Sequence, residues 1–262
     1  MKNMSTLSRS WLSCLESNYD VASQILMNRD IDTALRSYGV DASTIRAIPT
    51  GSDDVRPMSI FREWACAQDS ALGIAEHGNG HTFSPTSTAK SLVTDFSGWH
   101  KQLASSIAAH WANRMKNVTA QERKNADGQT YVRKQYKTLG VAHKYKLVDL
   151  YVRGLRLRVP QDSEVGSAIM QHANIPLDKK SIAVIEAFLQ MAKRSTTMGD
   201  IKSEQQYQHY QELARNICQQ LELPSGNHPS KLVFDTFAWH HPKAQAEYMK
   251  SPPKTSEFKF VP

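Results

Sequence analysis

The chain has 262 residues, of which 40% are hydrophobic and 22% charged, and a formal net charge of +7. That composition excludes a disordered chain and gives enough length for one large domain or two intimate lobes. No apolar run is long enough to span a bilayer and no signal-peptide core is read near the N-terminus. The three scattered cysteines, Cys14, Cys66 and Cys218, frame neither a disulfide set nor a metal knuckle, so a reducing cytoplasm is expected.

Hydrophobic spacing reads as helix almost throughout. Residues Ser10 to Asn28 place Trp11, Leu15, Val21, Ile25 and Leu26 at helical intervals. Short helices are expected over Asp32 to Tyr38 and Ser43 to Ile48, broken at Gly39 and Pro49. Pro57 suits the first turn of a helix through Ile60, Phe61, Trp64 and Ala65 towards Ala75. The glycines of His77-Gly78-Asn79-Gly80-His81 make a loop through Pro85, which argues against a histidine metal pair.

Thr94 to Met115 carries Phe96, Trp99, Leu103, Ile107 and Trp111 at spacings of 3, 4, 4 and 4, the stripe of an amphipathic helix. Lys116 to Gln129 reads as a polar connector ending at Asp127-Gly128, and Tyr131 to Lys137 as a short helix or an extended lead-in. Helices follow over Ala142 to Leu157, Val165 to His172, Asp178 to Lys193 and Ser203 to Leu221, then an apolar element from Leu232 to Trp239 and a tail from Ser251. Strict alternation and βαβ rhythm are missing, so the fold class is all-α.

The positive charge is regional. Between Arg114 and Arg158, 12 Lys and Arg stand against the 3 acids Glu122, Asp127 and Asp149, a net of +9. The rest of the chain holds 20 basic and 22 acidic residues, a net of −2. A dense, unmatched basic stretch is the footprint of a polyanion site, because each neutralised phosphate releases counterions.

Within that stretch Thr138-Leu139-Gly140-Val141-Ala142-His143-Lys144 sets a glycine turn in front of a helix and a lysine on its first turn. Amides at such a helix start can hold a phosphate. In projection Lys144 shares a face with Val148, Tyr151 and Leu155, whereas Lys146, Asp149 and Arg153 form a solvated, ion-pairing set. A partly buried lysine amine loses stabilisation of its charged form and gains nucleophilicity. Asp178, after Pro176, reads equally as the cap of the next helix and as a catalytic carboxylate.

At these residues the chain resembles the helix-hairpin-helix DNA glycosylase superfamily, especially its 8-oxoguanine glycosylase branches. Leu139-Gly140-Val141-Ala142-His143-Lys144 falls where the family's hairpin lies, and Pro176-Leu177-Asp178 where its Pro-x-Asp segment lies; the resemblance is confined to residues 138–178. It implies that Gly140 and Ala142 are hairpin positions on a DNA phosphate, that Lys144 attacks C1′ of the target nucleotide and that Asp178 assists departure of the base. Lys146, which forms Lys-x-x-Asp with Asp149, is the alternative nucleophile.

The implied architecture is a two-lobed helical bundle with a helix-hairpin-helix-like element and a cleft. Its parts would be an N-terminal lobe over 1–115, a lobe bearing the hairpin and site over 116–250, and a tail over 251–262. The implied partner of this monomer is double-stranded DNA, contacted also by His143, Arg133, Lys134 and Lys137. Such an enzyme flips its base, and Trp99, Trp111 and Trp239, with His100 and Phe237, are the side chains available to hold it. No metal, membrane or small-molecule cofactor is implied, and three cysteines cannot form a four-cysteine iron–sulfur loop. The function expected is therefore base excision, with or without lyase activity, in repair or in defence against phage with modified bases. The alternatives are a non-catalytic helical nucleic-acid-binding protein, in which Lys144 is a phosphate contact and Asp178 a cap, and a protein-interaction module.

Overall fold

The computed structural model describes residues 7–28, 38, 40, 44–45, 48–77, 80–190, 198–224 and 229–249. Over these residues the protein is mostly helical, with eleven helices and two small antiparallel hairpins. In chain order they are α1 (Arg9–Ser17), α2 (Tyr19–Met27), α3 (Pro57–Leu72), β1 (Ile74–His77), β2 (Gly80–Phe83), α4 (Ser87–Thr94) and α5 (Phe96–Met115). Then come β3 (Glu122–Lys124), β4 (Thr130–Val132), α6 (Val141–Leu155), α7 (Glu164–His172) and α8 (Lys179–Phe188). The last three are α9 (Glu204–Gln219), α10 (Lys231–His240) and α11 (Pro242–Met249). Most of the segments 32–38 and 43–48, and the tail from Ser251, lie outside the described residues. Among the described residues no helix is long and apolar enough to cross a membrane.

The chain divides into two compact units, one of Met1–Met27 with Leu177–Pro262 and the other of Asn28–Pro176. This is a different division from 1–115 and 116–250, and its physical reason lies in the N-terminal helices. In the first unit α1 and α2 pack on helices from the far end of the sequence. Trp11 meets Phe188 at a ring-centroid distance of 5.4 Å and Phe237 at 6.4 Å, and Phe188 meets Phe234 at 5.7 Å. Burial of such a side chain contributes about 2–3 kcal/mol, so the several in this cluster together offset the closure of the long loop between them, whose cost grows only slowly with length.

The expected helix over Ser10 to Asn28 is two helices. Asn18, at φ −117° and ψ 8°, separates them, and its side-chain amide donates to the Cys14 carbonyl at 2.8 Å, satisfying a group the broken helix leaves open. The break leaves Val21 and Ile25, two members of that helical series, 55% and 36% exposed.

In the second unit the α5 stripe is as spaced: Phe96, Trp99, Leu103, Ile107 and Trp111 are all buried. The helix starts where Asp95 Oδ1 accepts from the Gly98 amide at 2.9 Å. Helix α5 packs on α3 and α6, and Trp64 of α3 meets Tyr151 of α6 at 5.1 Å. Ten of the fifteen α6 residues are buried, on every side of the helix. Two expected loops are hairpins instead: residues 74–83 pair as β1–β2 and residues 122–132 as β3–β4.

Candidate nucleic-acid interface

Residues 122–132 are exposed without exception. Their turn is built by Asn125, whose Oδ1 accepts from the amides of Asp127 at 3.1 Å and Gln129 at 2.8 Å. Gly128 supplies the left-handed φ of +78° that an αL position in such a turn requires. The strands pair in the register Glu122–Val132, Arg123–Tyr131 and Lys124–Thr130. Alternation therefore puts Arg123 and Tyr131 on one face and Lys124 and Val132 on the other.

The base of this hairpin is clamped. The Gln121 amide donates to the Gly51 carbonyl at 2.9 Å, and the Gln135 side chain donates to the carbonyls of Thr50 at 2.9 Å and Val118 at 3.0 Å. Gly51 has φ +74°, and a Cβ there would sit 3.1 Å from the Cβ atoms of Ala120 and Gln135, so only glycine fits comfortably. Trp111 Nε1 donates to the Tyr136 carbonyl at 2.9 Å and ties the strand exit to α5. Asp53 accepts from both Arg123 and Arg133. The hydrogen bond from Arg133, with Arg123 beside it, holds the Asp53 carboxyl below its ordinary value.

The basic stretch separates into groups with different fates. Arg156 and Arg158 are core residues, each 3% exposed, and Arg158 Nε lies 2.8 Å from Asp69 Oδ2. Arg114 pairs with Glu63 at 3.2 Å, and Arg123 and Arg133 with Asp53. Acids from outside the stretch thus offset part of the +9. Lys116, Lys124, Lys134 and Lys137 stay exposed, with no ion-pair partner among the described residues; Lys134 Nζ rests 5.0 Å over the Tyr136 ring.

Gly140 stands at the N-cap of α6 and so brings no side chain to its first amides. Its φ of −70° and ψ of 166° are open to any residue, and an added Cβ would meet nothing nearer than His143 Nδ1 at 3.8 Å. The expected tight glycine turn is therefore an extended approach to the helix. No helix lies in 116–140: β4 and irregular residues lead into α6, so the element is a β-hairpin followed by a helix and not a hairpin between two helices. Ala142 is buried, and the half-buried His143 meets the Tyr136 ring edge-on at 5.1 Å.

Lys144 and Lys146 are both half-buried, and Lys144 Nζ lies 5.1 Å over the Tyr145 ring. The solvated set expected around Lys146 is corrected at Asp149, which is fully buried and accepts from His100 Nε2 at 2.8 Å. His100 stacks on Tyr145 at 5.7 Å and on Phe96 at 6.1 Å. A polar residue on the far side of a helix looks solvated in projection, but α6 is covered there too.

Asp178 belongs to the first unit and Lys144 to the second. Asp178 is the N-cap of α8: Oδ1 accepts from the Lys180 amide at 2.8 Å and the Ser181 amide at 3.0 Å, and its own amide donates to Ser181 Oγ at 2.9 Å. This reciprocal capping box contributes about 1 kcal/mol. Both amides use Oδ1, and the second carboxylate oxygen takes no part in the cap.

The aromatic candidates are mostly core. Trp99 and Trp111 are 4% and 0% exposed, His100 2% and Phe237 1%, so their rings are packed by protein atoms. Trp239 keeps 36% exposure, with Lys180 Nζ 4.2 Å over its ring. Sequence reasoning passed over Asp53, Tyr131 and Val132; the run of strand-forming residues Thr130-Tyr131-Val132 was the one signal for the last two.

Other catalytic arrangements are weaker. Cys14 Sγ is 3.9 Å from both ring nitrogens of His241, so it lies on neither lone-pair axis and is poorly placed to give up a proton to the ring. No group of three or more metal-ligating side chains forms among the described residues. No family model, no curated protein and no solved structure matches the chain.

Proposed function

We propose that this protein binds double-stranded DNA through the basic surface of the β3–β4 hairpin, its flanks and the start of α6. The observation that carries this reading is the set Lys116, Lys124, Lys134 and Lys137, exposed within one unit and without an ion-pair partner among the described residues. A protein surface gains little by concentrating unpaired cations unless an anion neutralises them. Phosphates do so with release of counterions. Gly140 adds a helix start where a phosphate can approach amides without a side chain in the way.

The test is titration of a labelled duplex with the full-length protein at several salt concentrations. The logarithm of the affinity is expected to fall linearly with the logarithm of salt. A protein-interaction module would instead give little binding at physiological salt.

Base excision is a second reading, favoured by Lys144, which is half-buried on the first turn of α6 beside this basic surface. In that reading the Lys144 amine forms a bond to C1′ as the glycosidic bond breaks, and the base leaves with the bonding electrons. Borohydride reduction would then trap a covalent protein–DNA adduct, lost in Lys144→Ala and retained in Lys146→Ala; the reverse pattern would assign Lys146.

A further inference from the structure

Two exposed large apolar residues, Tyr131 at 51% and Val132 at 63%, sit side by side on β4, inside the basic surface. Strands favour such residues for the cross-strand packing they give, but here Tyr131 stands opposite Arg123 and Val132 opposite Glu122, and all four are exposed. Pairing within the ribbon therefore leaves most of their apolar surface in water. They also point to opposite faces. A ribbon that lies flat on a partner covers one face; a ribbon inserted into a slot covers both.

We propose that the β3–β4 hairpin lies along the major groove of DNA with its β4 edge leading, with Tyr131 and Val132 against base edges and Lys124 and Lys134 on the flanking phosphates. This rests on the DNA-binding reading above and adds the groove and the residues that contact the bases. The dimensions agree: two strands lie about 4.8 Å apart, and a major groove about 12 Å wide admits a two-stranded ribbon, whereas a minor groove about 6 Å wide does not. With β4 innermost, β3 follows about 4.8 Å behind it, within the groove depth of about 8.5 Å. The major groove of A-form RNA is too narrow for side chains to read, so the substrate class is duplex DNA.

Charge orders the ribbon in the same way. Asp127 lies in the turn, where a phosphate would be repelled but a cytosine N4 amine donates. The clamp of Asp53 and Gly51 holds the base of the hairpin, so the ribbon enters as a preset shape and ordering costs less on binding. Apolar side chains in a major groove find the thymine methyl, which predicts a preference for thymine over uracil at contacted positions.

Fluorescence anisotropy of the full chain with a labelled duplex tests this, comparing a thymine duplex with the same sequence carrying deoxyuridine. Tyr131→Thr with Val132→Thr keeps strand-forming residues at exposed positions, so the melting temperature is expected to stay at the wild-type value. The double variant should bind the thymine duplex about tenfold more weakly, lose the thymine preference and keep the wild-type salt slope. Wild-type affinity in the double variant would overturn insertion while leaving phosphate binding, read from Lys124→Ala and Lys134→Ala, intact. Equal binding of RNA duplex or single-stranded DNA, with equal loss in the variant, would overturn the major-groove assignment. No binding of any duplex by the wild type would overturn both readings.

Discussion

Asp53 bonds Arg133 across 80 residues of sequence, Oδ1 to Nη1 at 2.5 Å, and so fixes the root of the basic hairpin to the loop before α3. Because the carboxyl is held below its ordinary value in the folded protein, chiefly by that bond, its contribution is present above the ordinary aspartate pKa of about 3.9. It is lost as pH falls through the lower folded value. The backbone resonances of residues 121–133 should stay constant from neutral pH to about 4 and move together below it. Asp53→Asn should show the acid pattern already at neutral pH. The pair is exposed, so its loss should leave the global melting temperature nearly unchanged; a large drop would contradict a purely local clamp.

The Tyr151 hydroxyl donates to Asp69 Oδ1 at 2.7 Å, and Arg158 bonds the same carboxylate from the other side, between the rings of Tyr38 and Tyr151. Tyr151→Phe removes one donor and should cost about 1–3 kcal/mol. Asp69→Ala leaves a buried guanidinium without its counter-charge and should cost about 3–5 kcal/mol. Urea unfolding measures both. A smaller loss for Asp69→Ala than for Tyr151→Phe would mean that the ion pair does not dominate this network.

Much of this architecture is legible in the amino-acid order, and the illegible parts share a cause. The α5 stripe, the Pro57 helix start and the Asp178 cap depend on neighbours within one or two turns, so local spacing predicts them. The β3–β4 hairpin does not: only three residues pair per strand, none is buried, and its anchor Asp53 is 70 residues from Arg123. The break at Asn18 reverses which residues of α2 face inward, and a projection drawn over Ser10 to Asn28 as one helix cannot register it. Asp149 looks solvated for a related reason, since projection shows which residues share a face but not whether that face is covered.

Asp178 separates structure from chemistry by substitution. Asp178→Ala removes the acceptor for two amides and should cost about 1 kcal/mol. Asp178→Asn keeps an acceptor in the same place and should fold as the wild type does. If base excision is catalysed here, Asp178→Asn loses turnover on a damaged duplex while keeping stability and DNA affinity. Turnover equal to the wild type would leave Asp178 as a cap alone.

Gly140 permits a comparable separation. Its φ of −70° and open surroundings accept a methyl group, so Gly140→Ala should fold normally, the gain from a stiffer unfolded chain being offset by alanine's weaker capping, and unfold at about the wild-type denaturant concentration. Where a phosphate approaches the first amides of α6, the same methyl group should weaken duplex binding. Unchanged affinity would remove Gly140 from the interface.

The most direct measurement is the salt dependence of duplex affinity in the wild type and in the variant with both Lys124→Ala and Lys134→Ala. Phosphate contacts by these lysines predict a linear fall in log affinity with log salt, and a slope shallower by about 1 for each lysine removed. A duplex affinity that ignores salt, or an identical slope in wild type and variant, would contradict DNA binding through this hairpin.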